Sequence, residues 1–242
     1  MLTAGSAMII AVSWAATAQG ASVVPVAVRT QAPPSGPRLP ADLTLSSAGA
    51  AFIASFEGFG ATPYDAPYPV RDCVIGYGHV IHSGPCTSVD FVTWGRITER
   101  QGQALLQLDI DATFVPAVRA GIPATPLTQP EFDALVDWVY NEGPVYITVR
   151  SSVRSALRAT PPQYASVPQD LMRYVLASRR KLCGLYRRRV SEVNLWSTGS
   201  YTRLSPACPP GYESLPASPG RETSASRKTS VIRKTSAGRR SS

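Results

Sequence analysis

Apolar residues recur at helical spacing in several stretches of this 242-residue chain. Leu45 to Glu57 reads as a helix: Ser46 or Ser47 caps it, Ala51, Phe52, Ile53 and Phe56 make its apolar face, and Gly58 stops it. The chain then changes character up to His82, becoming rich in Pro, Tyr, Gly and Val, as short twisted strands and turns are. Helical spacing returns at Thr98. There Thr98-Glu99-Arg100-Gln101 fits a capping box ahead of Leu105, Leu106, Leu108, Ile110, Phe114 and Val115. A second capping box, Thr128-Gln129-Pro130-Glu131, opens a helix whose face is Phe132, Leu135, Val136, Val139 and Tyr140. Its proline lies in the first turn, where a missing N–H costs nothing. Residues 152–157, 169–176 and 185–196 read as further amphipathic helices. The pattern predicts an α+β domain over residues 44–203, with a small β-bearing N-terminal lobe, a larger helical C-terminal lobe and a cleft between them.

The flanks lack such periodicity. Residues 1–20 hold an apolar run, Ala7 to Trp14, too short to span a bilayer, followed by Ala16-Thr17-Ala18, which suits signal-peptidase cleavage. A signal peptide or a weakly apolar N-terminal arm is expected there, with a secreted or exported product. Residues 21–43 read as a Pro-rich linker. Residues 204–242 read as a disordered Ser/Arg/Lys-rich tail, in which Arg-Lys-Thr-Ser occurs at 227–230 and again at 233–236.

Composition sharpens this division. Hydrophobic residues make up 44% of the chain, enough for a core, and the formal charge is +8. That charge sits unevenly: residues 41–220 hold 15 cations and 15 acids, whereas residues 221–242 hold seven cations and one acid. The neutral part is itself polarised, with twelve acids and five cations up to Arg150, then three acids and ten cations. The high pI is therefore mostly a property of the tails, and the C-terminal one fits electrostatic attachment to anionic envelope polymers or lipids as well as a solubilising tail with no partner; no specific nucleic acid is expected. Cys73, Cys86, Cys183 and Cys208 form no C-x-x-C pair, and no metal or other cofactor is expected. Two disulfides suit an exported chain. Three connectivities are open, and sequential pairing, Cys73–Cys86 with Cys183–Cys208, is preferred.

The candidate chemistry lies between Phe56 and Thr87. Glu57, at a helix end, meets the negative pole of the helix dipole, where a carboxylate is electrostatically disfavoured. Asp65 follows eight residues later, then the Gly-rich turn Gly76-Tyr77-Gly78-His79. Glycoside hydrolysis needs two carboxylates across a cleft, one to donate a proton and one to activate water. Spacing alone is a weak signal and favours the plainer reading, two surface acids on a solvated turn. Of the histidines, His79 is expected to bond an acid near the lobe junction, and His82 carries no assigned role. The run Arg187-Arg188-Arg189 reads as a solvated helix face, with Glu192 four residues beyond Arg188.

Residues 44–200 resemble the phage-type lysozymes of glycoside hydrolase family 24. The resemblance rests on Glu57-Gly58 with Tyr64, I-G-Y-G-H at 75–79, I-T-E-R-Q-G-Q-A-L-L-Q-L-D at 97–109, L-T-Q-P-E-F-D-A-L-V-D-W-V-Y-N-E-G at 127–143 and G-L-Y-R-R-R-V-S-E-V-N-L-W at 184–196. It implies a lysozyme-like fold and a muramidase that inverts at the β-1,4 bond between N-acetylmuramic acid and N-acetylglucosamine of bacterial peptidoglycan; a monomer is expected. Glu57 matches the family's general acid. The family's second carboxylate comes nine positions later, where this chain has Ala66; Asp65 is one residue early and is favoured over Asp72. Val74 replaces the usual Thr, so the alternative is a catalytically impaired fold that still binds peptidoglycan. Val80, Tyr140 and Ser152 match positions that line the family's sugar cleft. For a phage endolysin, the resemblance also implies cytoplasmic accumulation before host lysis.

Overall fold

The computed structural model describes residues 36–66, 71–177 and 179–214. The expected export signal, the linker up to residue 35 and the basic tail from residue 215 lie outside the described residues. Helix α1 (Ser47–Phe56) begins where Ser46 Oγ accepts the Gly49 N–H at 2.9 Å. Glu57 caps its far end in an extended conformation, one residue beyond the last helical turn. Three antiparallel strands follow in sequence order: β1 (Gly60–Asp65), β2 (Cys73–Gly76) and β3 (His79–His82). Tyr64 pairs with Val74 and Asp65 with Cys73, while Val74 also faces Val80 and Ile75 faces His79. The sheet turns sharply at Gly76 and Gly78, both at positive φ. A Cβ on Gly76 would lie 3.2 Å from the Gly102 Cα, so only glycine gives that turn both its backbone angle and its room.

The remaining helices are α2 (Ser88–Trp94), α3 (Glu99–Asp109), α4 (Val115–Gly121), α5 (Gln129–Glu142), α6 (Val145–Thr148), α7 (Ser152–Leu157), α8 (Val167–Leu171) and α9 (Cys183–Thr198). Both expected capping boxes are present, at Thr98 and Thr128. Helix α2 does not show in the apolar periodicity because Val89, Phe91 and Val92 are all exposed; its one sequence signal is a third capping box, Thr87 with Asp90. Residues 169–176 depart from the expected helix. Helix α8 ends at Leu171, and Leu176–Ala177 (β4) pairs with Arg180–Lys181 (β5) in a small hairpin.

Helix α5 is the centre of the core. Every residue from Phe132 to Val139 is buried, so it lacks the single apolar face that its spacing suggests. Its two interior acids are both partnered. Asp133 accepts from Ser46 Oγ at 2.5 Å, Tyr201 Oη at 2.7 Å and Gln129 Nε2 at 2.8 Å, and burial pushes its carboxyl above the usual range. Asp137 is held by Arg188.

The disulfides join Cys73 to Cys86 and Cys183 to Cys208, the sequential pairing. Ordered contacts continue beyond residues 44–203. Arg38 pairs with Leu127 at one end, and at the other Leu204 N–H donates to Ser191 Oγ at 2.9 Å and Glu213 N–H to the Lys181 carbonyl at 2.8 Å.

Two outcomes follow from this packing. A Cβ on Gly121 would run into the backbone carbonyl of Ile147, whereas one on exposed Gly184 meets nothing within 4 Å. Gly121→Ala should therefore lower the unfolding free energy by about 1–3 kcal/mol, and Gly184→Ala should leave it unchanged or raise it by up to about 1 kcal/mol in denaturant melts. The second concerns His82, whose Nε2 lies 3.0 Å from Asp90 Oδ2 and ties β3 to the start of α2. This bond raises His82 above its ordinary 6.5 and holds Asp90 down to about 2, against an ordinary 3.8. The His82 contribution is full below its unfolded value and fades as pH rises through the folded one. The Asp90 contribution is full above 3.8 and is lost as pH falls toward 2. His82→Gln should thus lower Tm more at pH 5 than at pH 9.

Candidate active site

Glu57 stands at the junction between α1 and the sheet, on the wall of an open cleft of about 430 Å³. The sheet contributes Gly78 and Val80 to the same wall, and the end of α5 contributes Tyr140 and Asn141. The third side comes from Asp109 at the end of α3 and from Thr113 and Phe114 of the π-helical turn, Ile110–Phe114, that joins α3 to α4.

The Glu57 side chain is 18% exposed and receives Arg188 Nη1 on Oε1 at 2.7 Å. Arg188 gives its other two nitrogens to Asp137, Nη2 to Oδ1 at 2.6 Å and Nε to Oδ2 at 3.3 Å, and its guanidinium lies over the Phe56 ring, 5.0 Å from the centroid. Glu192 Oε1 is 3.7 Å from the Arg188 Nε and accepts from Arg189 Nη2 at 2.6 Å. Arg189 continues to Glu142 at 3.0 Å and to Asn141 of the cleft at 2.8 Å. The expected solvated arginine face is therefore corrected: Arg188, Arg189 and Glu192 are all buried. An interior arginine is stable only with carboxylates around it, and α1, α5 and α9 supply them. Desolvation drives the Glu192 carboxyl well above its usual range, and burial likewise raises Glu142.

Of the residues singled out in the sequence, Glu57, Val80 and Tyr140 come together in this cleft. Tyr140 is mostly buried: its hydroxyl donates to the Tyr77 carbonyl at 3.2 Å, its ring meets Phe114 edge-on at 5.0 Å, and burial raises its phenol above the ordinary range. Asp65 closes β1, exposed, with its Oδ1 accepting the Cys86 N–H at 2.7 Å. Asp72 Oδ1 accepts the Gly84 N–H at 3.4 Å. Neither carboxylate is among the residues lining the cleft, nor is Ser152, which begins α7 and lies beside Tyr174. Val74 is buried in the middle strand.

The carboxylate that shares the cleft with Glu57 is Asp109, which the spacing argument passed over. Both its oxygens lie against His79 Nδ1, at 2.9 and 3.0 Å, the acid contact expected for that histidine. The signal in sequence was the register of the helix opened by Thr98, which turns Asp109 toward the Gly-rich turn. Among the described residues, Cys73, His82 and Asp90 are grouped closely enough to share a cation, but Cys73 is spent in its disulfide and His82 bonds Asp90 directly.

Comparison with known proteins adds to this geometry. The family described as phage lysozyme matches residues 54–192. An endolysin of Lactococcus phage c2 is 32% identical over 157 residues, which is 64% of this chain and 61% of that protein. One of Bacillus phage PZA is 31% identical over 163 residues, 67% of this chain and 58% of that protein. The chain thus spans about three fifths of the length of these relatives. Among solved structures, the endolysin from Escherichia coli O157:H7 phage FAHEc1 superposes with a TM-score of 0.54 at 28% identity, covering 66% of this chain and 98% of that one. The muramidase domain of SpmX from Asticaccaulis excentricus gives 0.52 at 30% identity, covering 64% and 98%. With more than half of its length matched and the α+β lysozyme fold in place, the chain belongs to the phage lysozyme family.

Proposed function

We propose that this protein is a lysozyme that hydrolyses the β-1,4 bond between N-acetylmuramic acid and N-acetylglucosamine in bacterial peptidoglycan. The observation that carries this reading is the placement of Glu57. Its carboxyl lines the cleft while its cation partner is held independently by Asp137 through two nitrogens. When Glu57 takes up a proton, Arg188 keeps a counter-charge, so the acid form leaves no bare guanidinium in the interior. Glu57 then donates that proton to the glycosidic oxygen as the C1–O bond breaks. Asp65 takes a proton from a water that attacks C1 from the opposite face, giving the inverted anomer. Asp65 is given this role because it stands one residue from the family's second carboxylate and is exposed; it lies outside the residues that line the cleft, whereas Asp109 lines it with both oxygens facing His79. Val80 and Tyr140 belong to the glycan-binding wall, and Ser152, outside the cleft lining, is assigned to glycan contact by its match to the family's position. The enzyme works as a monomer on peptidoglycan outside the membrane, and the basic tail attaches it to anionic envelope polymers or lipids. Among the described residues no helix is long and apolar enough to cross a membrane.

Purified protein should clear a peptidoglycan suspension and release reducing ends. Glu57→Gln should lower that rate by about 10²–10⁴; binding without release of reducing ends by the unaltered protein would overturn the assignment in favour of an impaired, glycan-binding fold. Asp65→Asn should lower kcat far more than Asp109→Asn, and the reverse order would move the water-activating role to Asp109. Asp137→Asn removes the carboxylate charge that shares Arg188 with Glu57 most closely and should lower kcat with little change in KM, measured on the same suspension.

A further inference from the structure

The helical run from Glu99 to Gly121 is interrupted by the π-helical turn Ile110–Phe114, which widens one turn so that residues four and five positions beyond Asp109 share its face. Thr113 and Phe114 are those residues, and all three line the cleft. We propose that this turn forms an acetamide-recognising subsite, which selects N-acetylated sugars. The proposal rests on the cleft being a glycan cleft, as argued above, and names the substituent that it reads.

An acetamido group presents an N–H donor, a carbonyl acceptor and a methyl. The three side chains complement it one for one. Asp109 is an acceptor whose side chain is 35% exposed, and each of its oxygens keeps a lone pair beyond the one turned to His79. Thr113 is exposed and offers a hydroxyl that donates to the carbonyl. Phe114 supplies the apolar contact, and its ring is held by the edge-on packing against Tyr140. A plain sugar hydroxyl stands where the acetamido nitrogen would, so it can meet Asp109 but carries neither the carbonyl for Thr113 nor the methyl for Phe114. The π turn is what makes the set possible, because in a continuous α-helix the fifth residue along rotates off the face of the first.

The test uses the full chain carrying Glu57→Gln, so that ligands stay intact, and isothermal titration with two neutral β-1,4 tetrasaccharides. One is tetra-N-acetylchitotetraose; the other, cellotetraose, carries hydroxyls where the first carries acetamido groups. Thr113→Val, at an exposed position, should weaken binding of the acetylated ligand about fivefold and leave cellotetraose unaffected. Phe114→Ala should act in the same direction; because that ring also packs on the core, Thr113→Val decides. Equal loss for both ligands, or no loss for either, overturns the acetamide subsite while the glycan cleft stands. A protein that binds neither ligand and does not degrade peptidoglycan with Glu57 restored overturns both readings. On peptidoglycan, with Glu57 in place, Thr113→Val should raise KM and keep kcat.

Discussion

A guanidinium buried where three helices meet holds the site together. Arg188 on α9 reaches Glu57 at the end of α1 and Asp137 in the middle of α5, with Glu192 of its own helix 3.7 Å away. A charge in that position is costly unless it is matched, and once matched it admits only one arrangement of the three elements. A one-residue slip of α9 would point the guanidinium away from both carboxylates. Glu57 therefore takes its position from the same contacts that set how the helices pack. Arg189 extends the constraint to the cleft floor through Asn141. Removing either arginine removes more than a charge, because the carboxylates left behind are interior ones.

Around this centre the lobes contribute different kinds of group. The sheet offers backbone and small side chains at Gly78 and Val80, since its tight glycine turns bring strand ends close to α3. Helix α5 is buried all round, so only its C-terminal residues, Tyr140 and Asn141, emerge into the cleft. The π turn supplies the remaining polar groups from outside the core. Helices, a strand and the π turn thus present most of the lining residues, and Glu57 and Gly78 sit on the short connections directly beside them.

Much of the fold was legible along the chain, for local reasons. Capping boxes at Thr98 and Thr128 marked true helix starts because the side chain that reads as a cap is bonded to the turn that it opens. The preferred sequential cysteine pairing, one of three open to four cysteines, is the one formed, and Glu57 stands at the helix end where the sequence puts it. What escaped was non-local or contrary to pattern. Helix α2 keeps its apolar residues on the surface, and the π turn has no periodic signature of its own. The arginine run failed most instructively. Glu192 four residues after Arg188 is the spacing of a surface ion pair, and the same spacing serves a buried one. Only the acids of α1 and α5, 131 and 51 residues away in sequence, separate the two cases.

Net charge consequently says little about the substrate. The acid-rich half of the chain spends Asp133 and Asp137 inside the protein and Glu57 on an arginine, so its surplus is not a surface field at the cleft. The basic half likewise buries Arg188 and Arg189, which leaves its exposed cations at places such as Arg173, Arg179, Arg180 and Lys181. A cleft whose charges are neutralised by their neighbours suits a ligand read by hydrogen bonds and ring faces. Any long-range attraction to an anionic surface would have to come from elsewhere on the chain, and beyond residue 220 the sequence holds seven cations against one acid.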